Sequence, residues 1–275
     1  MTILVAEIGW NFLGDLKIAK KMIVSAKRAG ANAVKFQIWD PKFLKKGAWD
    51  KDGRRKIYEK AFLNEKKYSQ LKTFSRSIKI NCFASAFNLE GAKLLKKNRD
   101  KWIKIPSHEA YNMNLIKYAI QNFTKIIISA GCLKKKELDK LIRLVKSKKK
   151  YQKKVTLLHC VSSYPLKPED CNFEKFNFIK KTLGKVGYSG HLQGIKDSVY
   201  ALYHEAEIIE KHFTIDNNLP GRDNKFALTE NQFKDLNKFK VIYEKFKIKR
   251  GLDLQKCEKD IYKNYRGRWS KNIKN

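Results

Sequence analysis

Acidic residues are scarce in this chain. Asp and Glu number 27 against 61 Lys and Arg, leaving a net charge of +34 over 275 residues. An imbalance of that size raises nucleic acid or an anionic membrane as a partner. The distribution argues against both. The lysines are spread over most of the length. The densest runs, Lys134 to Lys136 and Lys148 to Lys150 with Lys153 and Lys154, read as solvated helix ends and a loop. They lack the interleaved aromatics on which bases would stack. No specific nucleic-acid partner is expected, and the charge should instead attract small anionic substrates. Long apolar runs are also missing. None approaches the roughly 18 residues of a membrane span, so no membrane partner is expected. Cysteine is thin and unpatterned: Cys82, Cys132, Cys160, Cys171 and Cys257 are odd in number and form no CxxC. Residues 1–7 read as a strand, with no basic leader ahead of an apolar stretch. Together these features point to a reduced, cytoplasmic protein.

What the chain does have is alternation. At 43% hydrophobic it can bury a real core. Short apolar runs at 3–8, 33–38, 80–84, 102–106, 125–129, 155–160, 186–189 and 207–213 read as strands. Amphipathic stretches at 16–29, 58–76, 89–97, 113–121, 134–147, 173–182, 198–206 and 230–246 read as helices. The first helix is clear, with Asp15 as its cap and Ile18, Met22, Ile23 and Ala26 as its apolar stripe. Eight strands each followed by a helix predict an α/β fold, a (β/α)8 TIM barrel, over residues 1–250. No linker divides it. Residues 251–275 are polar and irregular, and should either pack on the barrel or move.

His191 and His212 stand out. Each closes a strand, about twenty residues apart with a helix-like stretch between, which is the βαβ spacing. Two imidazoles at one carboxyl edge make a candidate divalent-metal site. Active-site groups of a barrel collect at the carboxyl ends of its strands. Those positions hold Glu7 and Asn11, Lys35 and Gln37, Ser85, then Lys104 with Ser107 and Glu109. Beyond them come Ser129 with Gly131, His159 with Ser162 to Tyr164, Ser189, Thr214 and Asp223. Lys35 and Lys104 lie within apolar strands, where alternation points them into the barrel mouth. A buried lysine is costly unless paired, so two of them imply an anionic ligand or carboxylate partners. With Ser85, Ser107 and Ser129 they suit phosphate or carboxylate recognition.

Five segments carry a resemblance. They are Ala6-Glu7-Ile8-Gly9-Trp10-Asn11-Phe12-Leu13-Gly14-Asp15, Ala33-Val34-Lys35-Phe36-Gln37, Lys104-Ile105-Pro106-Ser107, Leu158-His159-Cys160-Val161-Ser162-Ser163-Tyr164-Pro165, and Ile209-Glu210-Lys211-His212-Phe213-Thr214. The last continues into Asn218-Leu219-Pro220-Gly221-Arg222-Asp223. In this order and spacing the chain resembles the sialic acid synthase family, which condenses phosphoenolpyruvate with an N-acylated amino-hexose to make nonulosonic acids. The resemblance implies that His191 and His212 hold a divalent ion, commonly Mn2+ with Mg2+ or Co2+ as alternatives, with Glu7 among the oxygen ligands. Lys35, Lys104, Ser85, Ser107, Ser129 and Ser189 would hold phosphoenolpyruvate. Glu7, Asp223 and Lys104 would carry the catalytic work, and Gln37, Ser162 and Tyr164 would bind substrate, the last two on the sugar side.

The chain also departs from the family pattern. Phe12 stands where the family has His. The Gly-Tyr-Ser-Asp-His-Thr motif reads Gly187-Tyr188-Ser189-Gly190-His191-Leu192, and Ala130 replaces a Thr. Phe12 and Leu192 are expected on the sugar side. The family's C-terminal antifreeze-like domain, which reaches the partner subunit's site and supplies an arginine, is expected to be lacking. The tail resembles its linker, Arg266 or Arg268 is a candidate substitute, and a homodimer stays open.

Overall fold

In a computed structural model, the protein is described over residues 1–269. Eight parallel strands close into a barrel in chain order: β1 Ile3–Gly9, β2 Ala33–Ile38, β3 Asn81–Ala86, β4 Trp102–Ile105, β5 Lys125–Ser129, β6 Val155–His159, β7 Gly187–Gly190 and β8 Ile208–His212. Around it lie α1 Leu16–Arg28, α2 Arg54–Lys60, α3 Glu65–Ser77, α4 Leu89–Lys97, α5 Met113–Asn122, α6 Lys135–Lys146, α7 Lys149–Lys154, α8 Phe173–Leu183, α9 Lys196–Tyr203, α10 Arg222–Phe226, α11 Glu230–Phe246 and α12 Lys259–Asn264. The predicted TIM barrel is the observed fold.

Two cores follow from strand alternation. The outward side chains, such as Leu4, Phe36, Ile103, Ile126 and Leu157, join the helices in one large apolar shell. The inward ones form a separate plug of Val5, Ala33, Phe83, Ile127, Leu158 and Ile208 at the amino end of the barrel. Such a plug makes the interior a packed core rather than a pore, so the polar inward residues beyond it can face only the carboxyl end.

Two local expectations need correction, and for the tail one of the two alternatives falls. Residues 58–76 are not one helix. The chain breaks after α2, and Asn64 starts α3 afresh by accepting a hydrogen bond from the Lys67 N–H. The lysines near 150 form α7, which runs directly into β6. The tail does not pack on the barrel: from Gly251 to Trp269 nearly every residue is exposed. Arg266 and Arg268 stack within the tail on Tyr262 and Tyr265, and neither lines the cavity at the barrel mouth. Among the described residues all five cysteines are free, and no helix is long and apolar enough to cross a membrane.

Candidate active site

The barrel mouth opens as a cavity of about 600 Å³. Strand register decides what enters it. Glu7 pairs with Lys35 on one side and with His212 on the other. Gln37 pairs with Ser85, Ser85 with Lys104, and Ser189 with Glu210. All of these share the inward parity and line the cavity with Ser107, Ser129 and His191.

The floor of the cavity is a network of buried charge. Lys35 contacts Glu7, lies 3.5 Å from Glu210, and donates to Ser85 Oγ at 2.8 Å. Lys104 is 2.7 Å from Glu210 Oε1, which also accepts from Ser189 at 3.2 Å. Gln37 donates to Glu7 at 2.6 Å. Two ammonium groups thus sit 2–4% exposed at the side chain, which is tolerable only because each has a carboxylate. The two acids are pushed apart. Burial raises Glu7, and Lys35 only partly offsets it. Burial also acts on Glu210, but Lys104 and Lys35 together outweigh it and hold that carboxylate ionised. Burial depresses Lys104, with nearby Lys35 adding to the effect. Two neighbouring acids of divergent acidity are a pattern found where a proton must be moved.

His191 and His212 converge above this floor, ring centroids 5.6 Å apart. His191 Nδ1 lies 2.7 Å from the Val161 carbonyl. A carbonyl only accepts, so the proton sits on Nδ1 and Nε2 keeps its lone pair. Burial and the neighbouring His212 push His191 down to about 3. Burial and Lys35 bring His212 to about 3 as well. Both rings are therefore neutral. His212 Nδ1 is buried without a hydrogen-bond partner and lies 3.7 Å from Asp223 Oδ2. Asp223 accepts from Trp10 Nε1 at 2.5 Å, and burial raises its carboxyl. Tyr164 packs against His191 at 4.3 Å, beneath the Arg222 guanidinium.

Beyond the histidines the wall toward the β2 to β4 loops is aromatic. Trp10 stacks on Tyr58 at 4.9 Å, and Trp39 meets Tyr58 and Phe87 edge-on at 5.6 Å. Faces of this kind suit the C–H surface of a sugar or an acyl methyl.

Comparison with known proteins then decides the family. A model of the NeuB family matches residues 22–247. The chain belongs to the NeuB family. It is 32% identical over 247 residues to the N-acetylneuraminate-9-phosphate synthase of Drosophila melanogaster, covering 85% of this chain and 65% of that protein. It is 32% identical over 243 residues to a pseudaminic acid synthase of Campylobacter jejuni, covering 84% and 70%. The crystal structure of an N-acetylneuraminic acid synthetase from Leptospira borgpetersenii superposes with a TM-score of 0.84 at 29% identity, over 98% of this chain and 93% of that one. The chain thus spans about two thirds of the length of the curated relatives it matches.

In this NeuB-family chain, Glu7, Lys35, Gln37, Ser85, Lys104, Ser107, Ser129, Tyr164, Ser189, His191, His212 and Asp223 all reach one cavity. Ser162 does not line it. Its buried hydroxyl lies with Ser107 Oγ and Cys160 Sγ around the place a Cβ on Gly131 would take. His159 points outward, its Nε2 against the Cys171 carbonyl and its ring among Phe173, Phe176 and Tyr188. Neither departure expected on the sugar side is there. Phe12 is fully buried edge-on against Phe36 in the outer shell, and Leu192 bridges to Leu166. Glu7 is engaged by Lys35 and Gln37, and among the described residues it does not form a group of three metal-binding side chains with the two histidines. Sequence reasoning missed Glu210. Its signal was there: it lies two residues before His212 in the same strand and so shares its inward parity.

Proposed function

We propose that this barrel condenses phosphoenolpyruvate with an N-acylated amino-hexose to give a nonulosonic acid and phosphate. The observation that carries the reading is the floor. Two buried ammonium groups and a ring of serine hydroxyls face one closed end, a trap for a small polyanion. Lys35 and Lys104 would neutralise the carboxylate and phosphate, exchanging Glu7 and Glu210 for the substrate's own negative charge. The reaction forms one bond from the C3 carbon of phosphoenolpyruvate to the aldehyde carbon. Water adds to C2, and the C2–O bond breaks to release phosphate. Glu7, raised by burial, is placed to hold or pass the proton that water gives up. Asp223, fixed by Trp10, would orient the sugar. Preorganised charge in a dry site, rather than a covalent intermediate, supplies most of the acceleration.

The two imidazoles fit a divalent ion. Each is neutral, His191 Nε2 is free, and His212 Nδ1 is buried and unpartnered. No group of three or more metal-binding side chains converges among the described residues. Water and substrate oxygens would therefore complete the shell, which suits Mn2+, with Mg2+ or Co2+ as alternatives. When bound, the ion would polarise the aldehyde oxygen as a Lewis acid.

The rim bears on the acceptor. Asp40, Glu90 and Glu109 line the cavity away from the floor, where Lys45 and Arg222 are the cations. In a chain so poor in acids, this concentration disfavours a phosphorylated sugar. The test is phosphate release from phosphoenolpyruvate with Mn2+ and N-acetylmannosamine, its 6-phosphate, or a diacetamido-hexose. Sugar-dependent release that vanishes in His212→Ala is expected. Release with the 6-phosphate alone would reverse the acceptor reading. Silence with all three would sink the reaction.

A further inference from the structure

Gly190 closes β7 between the inward residues Ser189 and His191. Backbone conformation does not require that glycine, because Gly190 lies outside the left-handed region. Space requires it. A Cβ at 190 would lie 2.3 Å from Asp197 Oδ2, 2.7 Å from Tyr188 Cε1 and 3.0 Å from Lys211 Cδ. The carboxylate of Asp197, reaching back from the first turn of α9, fills the volume a side chain at 190 would enter.

Asp197 is wholly buried at its side chain and makes a specific set of contacts. It accepts from Lys211 Nζ at 3.1 and 3.2 Å, from the Tyr188 hydroxyl at 3.2 Å and from the Ser198 N–H at 2.7 Å. Lys211 also donates to the Leu192 carbonyl at 2.6 Å. These contacts lie on the outer face of β7 and β8, directly behind the cavity. Tyr188 and Lys211 precede or adjoin the inward residues Ser189, Glu210 and His212, and Leu192 follows His191. One carboxylate thus ties the two strand ends together, and a carboxylate rooted at 190 would reach the same lysine.

We infer that Asp197 is a positioning residue whose carboxylate takes the volume a side chain at 190 would occupy. It fixes Lys211 and Tyr188, and through them the strand ends that present His191 and His212. The inference rests on the proposed function only for what those histidines do. A buried lysine without its counter-ion is costly, so loss of the carboxylate should displace β8 rather than leave Lys211 in place.

The test is a reciprocal exchange in the full chain, read without metal by the imidazole NMR resonances of the five histidines. Asp197→Ala should move His191 and His212 while His108, across the barrel, keeps its position. Gly190→Asp alone should also disturb them, because two carboxylates would compete for one volume. Gly190→Asp with Asp197→Ala should return both resonances to their native positions, and should recover kcat for phosphate release with KM for phosphoenolpyruvate unchanged. Native resonances in Asp197→Ala would overturn the inference. So would a double variant no better than Asp197→Ala, including one that fails to fold when that single variant fails. If the native protein releases no phosphate with any sugar, the proposed function falls, and the resonances still decide the role of Asp197.

Discussion

Glu210 shows how one residue sets the character of the site. It is the shared counter-ion of Lys104 at 2.7 Å and Lys35 at 3.5 Å, with its side chain 6% exposed. Glu210→Gln would keep the shape and remove the charge. Breaking a buried pair in this way should cost about 3 kcal/mol, read as a lower urea midpoint at unchanged slope. An unchanged midpoint would mean the lysines do not depend on it. Lys104→Met should keep the fold and lower kcat/KM by about 10²-fold or more, because a group that neutralises developing charge in a dry site is lost. At this scale the sequence was most legible for cations and histidines. A lysine or histidine in an apolar strand is conspicuous alone. His159 ends β6 on the parity opposite to inward Leu158, so alternation itself turns it away from the mouth. Ser162 lies beyond the strand end, where only the loop path decides which way a side chain turns.

At the scale of elements, caps and helix ends do the positioning. Asn64 begins α3 by accepting from Lys67 N–H at 2.9 Å, and Asn64→Ala should lower stability by about 1 kcal/mol, measurable by chemical unfolding. The break that it creates separates α2 from α3 and leaves Tyr58 in the aromatic wall of the cavity. The end of α4 gives a pH prediction. Asp100, just before β4, is buried beside the Tyr68 hydroxyl at 3.1 Å and Lys72 at 2.9 Å. Burial lifts its carboxyl to about 6, against the opposing pull of Lys72. The unfolded chain releases that proton near the ordinary value of 3.8, while the folded protein keeps it to about 6. Between those values the folded state binds more protons, so this group's stabilisation is full at low pH and is lost as pH rises through the window. Thermal unfolding of Asp100→Asn from pH 4 to 7 should show a flatter dependence than the native chain. Parallel curves would refute it.

Across the whole molecule, the net charge of +34 should act as a field rather than as a docking patch. The KM for phosphoenolpyruvate should rise with ionic strength from 20 to about 300 mM while kcat changes little, as screening shortens the reach of the field. A flat KM would restrict the electrostatics to Lys35 and Lys104. The tail is a separate matter. Residues from Gly251 to Trp269 are exposed almost throughout, so a chain ending at Arg250 should melt within about 2 °C of the full chain in a thermal scan, since little buried surface is removed. A larger loss would show that the tail stabilises the barrel.

The sequence alone determined the barrel, because eight apolar runs alternating with eight amphipathic ones leave few other ways to bury both faces of every strand. It also determined the chemistry of the floor, because charge inside an apolar strand has to be compensated. Tertiary structure decided the pairings. Glu7 meets Lys35 through neighbouring strands, but Lys104 meets Glu210 across 106 residues and the width of the barrel. Asp197 fills the space at Gly190 only because α9 folds back onto β7. Contacts of that kind depend on closure of the whole ring, and no local pattern in the chain records them.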